Sequence, residues 1–178
     1  MLRPNFSALA LGLLIPFAVS SPLHAASQPR ALGTFEAWTA AELAERGGKI
    51  CYMVARPAKS DPQNVRRGDI LLMVTHRQAA KQRDEVSFQS GYPFKEGAPV
   101  VMEIDKKRFE LFTNPKVDPE SAWSRDGAMD KALVEAMRKG EALLVRGEST
   151  RNTQTTDTFS LMGFSKAYAE IGKACGVK

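Results

Sequence analysis

Arg146-Gly-Glu-Ser-Thr-Arg-Asn-Thr-Gln-Thr-Thr-Asp-Thr-Phe-Ser-Leu-Met-Gly-Phe164, running on through Ser165-Lys-Ala-Tyr-Ala-Glu-Ile-Gly-Lys-Ala-Cys175, is the stretch that decides the fold. Its first part reads as a Thr-rich β-hairpin, because a β-branched side chain suits an extended strand. Its second part reads as a short amphipathic helix. Phe164, Ala167, Tyr168, Ile171 and Cys175 recur at the spacing that places them on one helical face. That face carries Cys175 toward a core, and the only other cysteine, Cys51, lies far upstream. The rest of the chain is what must fold between the two sulfurs.

The N-terminus bears on the redox state of those sulfurs. Arg3 is followed by an apolar run from Leu9 to Val19, broken only by Gly12 and Pro16, and then by the small residues around Ala25 and Ala26. This is the layout of a signal peptide over residues 1–25, with 26–178 as a single mature domain. Leu23 and His24 are not the ideal small residues before a cleavage site, and an uncleaved anchor is the alternative. The apolar run is short of the roughly 20 residues a spanning helix needs, and no second such run follows, so the mature protein is expected to have no transmembrane segment. Export places the protein in the periplasm, where two cysteines read as one disulfide, Cys51–Cys175; two buried free thiols are the alternative.

Length and charge set further bounds. The chain has 178 residues and a formal charge of +5. Removing residues 1–25 takes away Arg3 and no acid, leaving about +4. The basic residues are scattered. Arg66-Arg67 and Lys106-Lys107-Arg108 are the tightest runs, and both sit beside turn-like residues. They read as solvated loop charge, and no nucleic-acid partner is expected.

Between the cysteines the pattern is mostly β. Thr34–Thr39 reads as a first strand. Ala40–Glu45 admits a helix that Gly47-Gly48 would stop. Ile50–Val54 is β-rich, residues 57–69 read as a loop, and Ile70–Val74 is a continuous apolar run suited to a strand buried on both faces. Glu85–Gln89 alternates with Val86 and Phe88 inward, and Gly91-Tyr-Pro-Phe94 is a turn with two aromatic anchors. Val100, Met102 and Ile104 alternate into a turn at Asp105–Arg108, Phe109–Thr113 returns, and Asn114–Pro119 reads as a loop. Asp126 is a candidate N-cap for a helix with Met129, Ala132, Leu133, Ala136 and Met137 on one stripe, and Gly140 stands where a terminating glycine is expected. Ala142–Arg146 and Thr155–Leu161 close the series. Roughly eight short strands with two short capping helices point to an all-β sandwich, with a closed barrel as the alternative.

The inventory for chemistry is thin. With residues 1–25 removed, His76 is the sole histidine. One histidine and two paired cysteines do not make a transition-metal site, and no cofactor is expected. His76 reads as a surface residue at a strand end; its alternative role is general base for a serine such as Ser87, which would make the protein a hydrolase. No Gly-x-Ser-x-Gly elbow supports that role. Arg67-Gly68-Asp69 is an adhesive tripeptide in form, and equally ordinary turn chemistry. The hairpin offers more. Arg146, Arg151, Thr153, Thr155 and Asp157 form a candidate binding surface, and an ion pair from Arg146 or Arg151 to Asp157 is expected across it.

The same residues carry a resemblance. Arg146-Gly147, Ser149, Arg151, Thr153, Thr155, Asp157-Thr-Phe-Ser-Leu161, Gly163-Phe164 and Ala174-Cys175 resemble the C-terminal pattern of the invasion-associated locus B family. Trp38, Cys51-Tyr52, Glu85-Val-Ser87, Gly91-Tyr92 and Ile104-Asp105 extend the likeness from about Phe35 to Cys175. The resemblance implies an exported alphaproteobacterial protein with an immunoglobulin-like β-sandwich. It brings a family name drawn from host-cell invasion and no catalytic residues. Members with additional cysteines differ from this chain, which has one pair. The function expected is therefore a non-catalytic periplasmic binding or interaction protein, its partner an unidentified periplasmic or envelope protein. A surface-exposed factor in host-cell invasion or envelope integrity is the alternative, and the His76 hydrolase the second.

Overall fold

The structure is a computed structural model and describes residues 28–177. The expected signal peptide over residues 1–25 lies outside the described residues. In chain order the elements are β1 (Arg30–Phe35), β2 (Trp38–Glu45), β3 (Gly48–Ala55), β4 (Lys59–Asp61), β5 (Leu71–Arg77), β6 (Gln82–Gln89), β7 (Val100–Ile104), β8 (Lys107–Asn114), β9 (Asp118–Trp123), α1 (Gly127–Met137), β10 (Ala142–Glu148), β11 (Gln154–Ser160) and α2 (Phe164–Cys175).

Two antiparallel layers result. One runs β1-β2-β3-β5-β6-β9, the other β7-β10-β11-β4, and β8 joins them. Residues Lys107 to Leu111 of β8 pair with β7, while Phe112 to Asn114 pair with β9. The inner faces meet in one core, where Phe88 of β6 packs edge-on against Phe159 of β11 with ring centroids 6.1 Å apart. Burial alternates along β3, β10 and β11, as a two-layer sheet requires. The fold is the all-β sandwich with two short helices that the sequence and the resemblance point to, rather than a closed barrel.

The helices complete the core. Asp126 caps α1 by accepting from the Ala128 and Met129 amides. Leu133, Val134 and Met137 are buried, and the Asp130 carboxylate accepts from the Val86 amide and the Ser124 hydroxyl, fixing α1 to β6. α2 packs on β1, β2, β3 and β5. Its Phe164 meets Trp38 edge-on at 5.1 Å. Gly163 precedes it at φ +86°, and a Cβ there would stand 2.0 Å from the Phe35 carbonyl oxygen, so only glycine lets the chain turn that closely under β1. Cys51 of β3 and Cys175 of α2 form a disulfide with Cα atoms 5.9 Å apart.

Several expectations need correction. Ala40–Glu45 is strand, not helix: β2 is hydrogen-bonded on both sides, to β1 and to β3, and pairing overrides the helix propensity of Ala, Leu and Glu. Asp118–Trp123 is a strand where a loop was expected through Pro119. Ile70–Val74 is not buried on both faces. Leu72 and Val74 are fully buried, whereas Leu71 and Met73 are half-buried on the outer side. Gly140 does not end α1. The cap is Arg138 in right-handed conformation, and Gly140 serves by its size, since a Cβ would approach Ile104 Cγ2 to 2.7 Å.

Candidate functional site

Three segments converge at one end of the sandwich: the loop before β5, the turn Ser90–Phe94, and the β10–β11 connection at 149–153. Gly68 and Gly91 allow the first two to touch. The Gly68 amide donates to the Gly91 carbonyl at 2.8 Å, and a Cβ on Gly91, at φ +71°, would lie 2.6 Å from the Gly68 oxygen. That contact delivers Arg67 inward. Its guanidinium donates to both oxygens of Asp157, at 2.8 and 2.7 Å, and twice to the Ser90 carbonyl, at 3.0 and 2.8 Å. Asp157 is fully buried and the Arg67 side chain is 6% exposed, so this is an interior ion pair. The guanidinium also lies 4.8 Å from the centroid of the Tyr92 ring, a cation–π contact.

Tyr92 carries the network across the core. Its hydroxyl is 2.7 Å from the Thr155 hydroxyl, and burial pushes its pKa above the ordinary tyrosine value. The third segment is fastened too. The Thr150 amide donates to the Pro93 carbonyl at 3.0 Å, and the Ser149 hydroxyl accepts from the Arg151 and Thr153 amides. Above these contacts lies an open groove of about 700 Å³, lined by Asn64, Arg66, Tyr92, Pro93, Thr150, Arg151 and Thr153 among others. No Asp or Glu lines it. The Arg66 and Arg151 side chains are exposed and form no ion pair among the described residues.

The five hairpin residues singled out in the sequence are divided by the pleat. Gly147 faces Thr155 and Val145 faces Asp157 across the hairpin, with Thr155, Asp157 and Phe159 all inward. Arg151, Thr153 and Thr155 line the groove, and Asp157 lies beneath it. Arg146 points to the outer face, pairs with Glu103 at 2.8 Å, and borders a separate cleft of about 290 Å³. The expected ion pair from Arg146 or Arg151 to Asp157 is not formed, because Arg67 occupies the carboxylate from the inner side. Arg67 was missed as its partner. The available signal was an aspartate in phase with Phe159, which needs a buried cation.

His76 is also misplaced by the sequence reading. It is fully buried, not a surface residue. β5 continues past it, so His76 shares the inner face with Leu72 and Val74 and stands opposite Cys51. Its Nδ1 accepts from the Asp84 amide at 3.0 Å, which leaves the proton on Nε2, and Nε2 has no hydrogen-bond partner among the described residues. Tyr168 of α2 stacks edge-on at 5.5 Å and donates its hydroxyl to Asp84 at 2.5 Å. Burial, the dominant cause, holds the His76 pKa below the ordinary histidine value, opposed by the Asp84 carboxylate. Ser87 pairs with Met73, hence faces the outer side, and the His76–Ser87 couple is not assembled. Arg67-Gly68-Asp69 is not presented as an adhesive loop either, since Arg67 is spent on Asp157 and Asp69 is 3.0 Å from Arg56.

Fold and groove together define a two-layer β-sandwich with a polar, arginine-edged groove at one end. The family model described as "Invasion associated locus B (IalB) protein" matches residues 38–172. The chain belongs to the invasion associated locus B family. No curated protein matches it. Among solved structures it is similar to the crystal structure of invasion associated protein B from Bartonella henselae, at 19% identity and a TM-score of 0.56, over 82% of this chain and 95% of that one. At that identity the likeness establishes the fold alone. No helix among the described residues is long and apolar enough to cross a membrane.

Proposed function

We propose that this chain is an exported periplasmic protein that binds a partner without catalysis, and that the groove edged by Arg66 and Arg151 is its binding surface. One observation carries the reading. The groove's floor is built rigidly from the Arg67–Asp157 pair, Tyr92 and Thr155, while its two rim arginines form no ion pair among the described residues. Rigid scaffolding beneath uncommitted charge lowers the ordering cost of binding. The Cys51–Cys175 disulfide supports export, because such bonds persist in oxidising compartments. The buried, unassembled His76 gives the hydrolase reading no support.

A site-specific photo-cross-linker tests the surface. Placed at Thr150 on the groove, it is expected to give a discrete adduct with one envelope or periplasmic protein in intact cells. Placed at Lys106, on the exposed β7–β8 turn, it is expected to give none. Equal adducts from both positions, or none from Thr150, would overturn the assignment. Intact mass of the periplasmic form checks export, and a mass that still includes residues 1–25 would contradict it.

A further inference from the structure

The groove's lining also restricts what chemistry it takes. Its floor charge is already neutralised, since Asp157 holds Arg67 in two hydrogen bonds. Its net field therefore comes from Arg66 and Arg151, with no acid among the lining residues to offset them. A guanidinium offers a planar fork of donors that matches a carboxylate. Thr150, Thr153 and Asn64 line the same groove, and their hydroxyls and amide can supply additional hydrogen bonds. Among the described lining residues the only aromatic ring is Tyr92, which is buried with Arg67 over one face, so it offers little platform for stacking a sugar or a base.

Openness decides between a small anion and a chain. Both arginines are exposed, so each contact with a carboxylate is made in high dielectric, is screened by salt and contributes little alone. A single small anion gathers too few such contacts. A segment that lies along the groove and reaches both arginines gathers several at once.

We propose that this groove binds an extended acidic polypeptide segment, with side-chain carboxylates on Arg66 and Arg151 and the intervening backbone against Thr150, Thr153 and Asn64. The proposal rests on the reading of the groove as a binding surface and adds the chemistry of its occupant.

Fluorescence anisotropy on the folded mature protein tests it, with a labelled decapeptide alternating Glu and Ser as probe. The Glu/Ser peptide is expected to bind, and its Gln/Ser counterpart at least 10-fold more weakly. The double variant Arg66→Gln, Arg151→Gln is expected to lose at least 10-fold in affinity for the acidic peptide. Arg46→Gln, which removes an exposed arginine on the β2–β3 turn, is expected to change it less than 2-fold. Raising the salt from low to physiological concentration is expected to weaken binding by the wild type. Equal loss in Arg46→Gln would mean that net charge, not the groove, attracts the peptide, and would overturn the proposal. So would displacement of the peptide by citrate at equal carboxylate concentration, tighter binding of polygalacturonate of matched charge, or absence of binding. If the Thr150 cross-link forms while the acidic peptide fails, the binding surface stands and its proposed occupant is wrong.

Discussion

Replacing Arg67 with methionine keeps much of the side chain's length and removes its charge, which isolates the interior ion pair. The Asp157 carboxylate would remain fully buried with both donors gone, and the Ser90 carbonyl would lose two more. Hydrogen bonds to a charged group are worth about 1.5–3 kcal/mol each. Breaking a buried pair by removing one partner costs about 3–5 kcal/mol. Two charge-assisted bonds to one carboxylate reach the same range, so Arg67→Met is expected to destabilise the fold by about 3–5 kcal/mol. Adding Asp157→Leu removes the stranded charge, and the double variant is expected to recover most of that loss. Urea unfolding of the wild type, both single variants and the double variant closes the cycle, provided the m-values agree. A loss below about 1 kcal/mol in Arg67→Met, with m unchanged, would refute the reasoning, because it would mean that water reaches Asp157. A double variant no better than the worse single would show instead that the pair's geometry, not its charge balance, holds the groove floor.

Burial holds the His76 pKa below its unfolded value, so the unfolded chain binds the extra proton first and stability falls as pH drops below about 6.5, through the folded pKa. Protonation also places a proton on Nδ1, against the Asp84 amide that now donates to it. Asp130, raised by burial, has the opposite sign and gains relative stability as the pH falls through its own range. Thermal scans of wild type and His76→Gln across pH 5–8 should therefore converge at the acidic end, and parallel curves would contradict this. Reducing the 124-residue separation of Cys51 and Cys175 to an open chain, by Cys175→Ser, is expected to cost about 2–5 kcal/mol. Hydrogen exchange should show α2 opening before the sheets, and uniform loosening would count against α2 as the tethered element. Gly163→Ala forces a Cβ onto the Phe35 carbonyl and a positive φ onto alanine, so a loss of more than about 2 kcal/mol is expected by chemical denaturation.

What the sequence revealed followed short-range chemistry. The hairpin at 142–160 alternates cleanly, Asp126 announces α1, and the spacing from Phe164 to Cys175 defines the buried face of α2. The turn at Asp105-Lys106 was legible without glycine, although both residues take positive φ. What was illegible depended on partners far along the chain. Ala40–Glu45 carries helix-forming residues and becomes a strand only because β1 and β3 flank it. His76 sits next to Arg77 in sequence, yet α2 closes over it from 92 residues away through Tyr168. Arg67 and Asp157 are separated by 90 residues. No local pattern matches them, and only the phase of Asp157 with Phe159 hints that a cation must come from elsewhere.

The shared strand β8 has a consequence for how the molecule meets its neighbours. Because β8 is hydrogen-bonded into both layers, the described strands follow one another in a single order whose two ends are β1 and β4. Neither remaining end is a good template for another chain's backbone. β4 is three residues long, exposes Lys59 and Asp61, and runs directly into Pro62. β1 is interrupted by a bulge between Ala31 and Gly33 and carries the charge of Arg30. Terminal strands blunted in this way resist edge-to-edge pairing at β1 and β4, so association there must come from side chains.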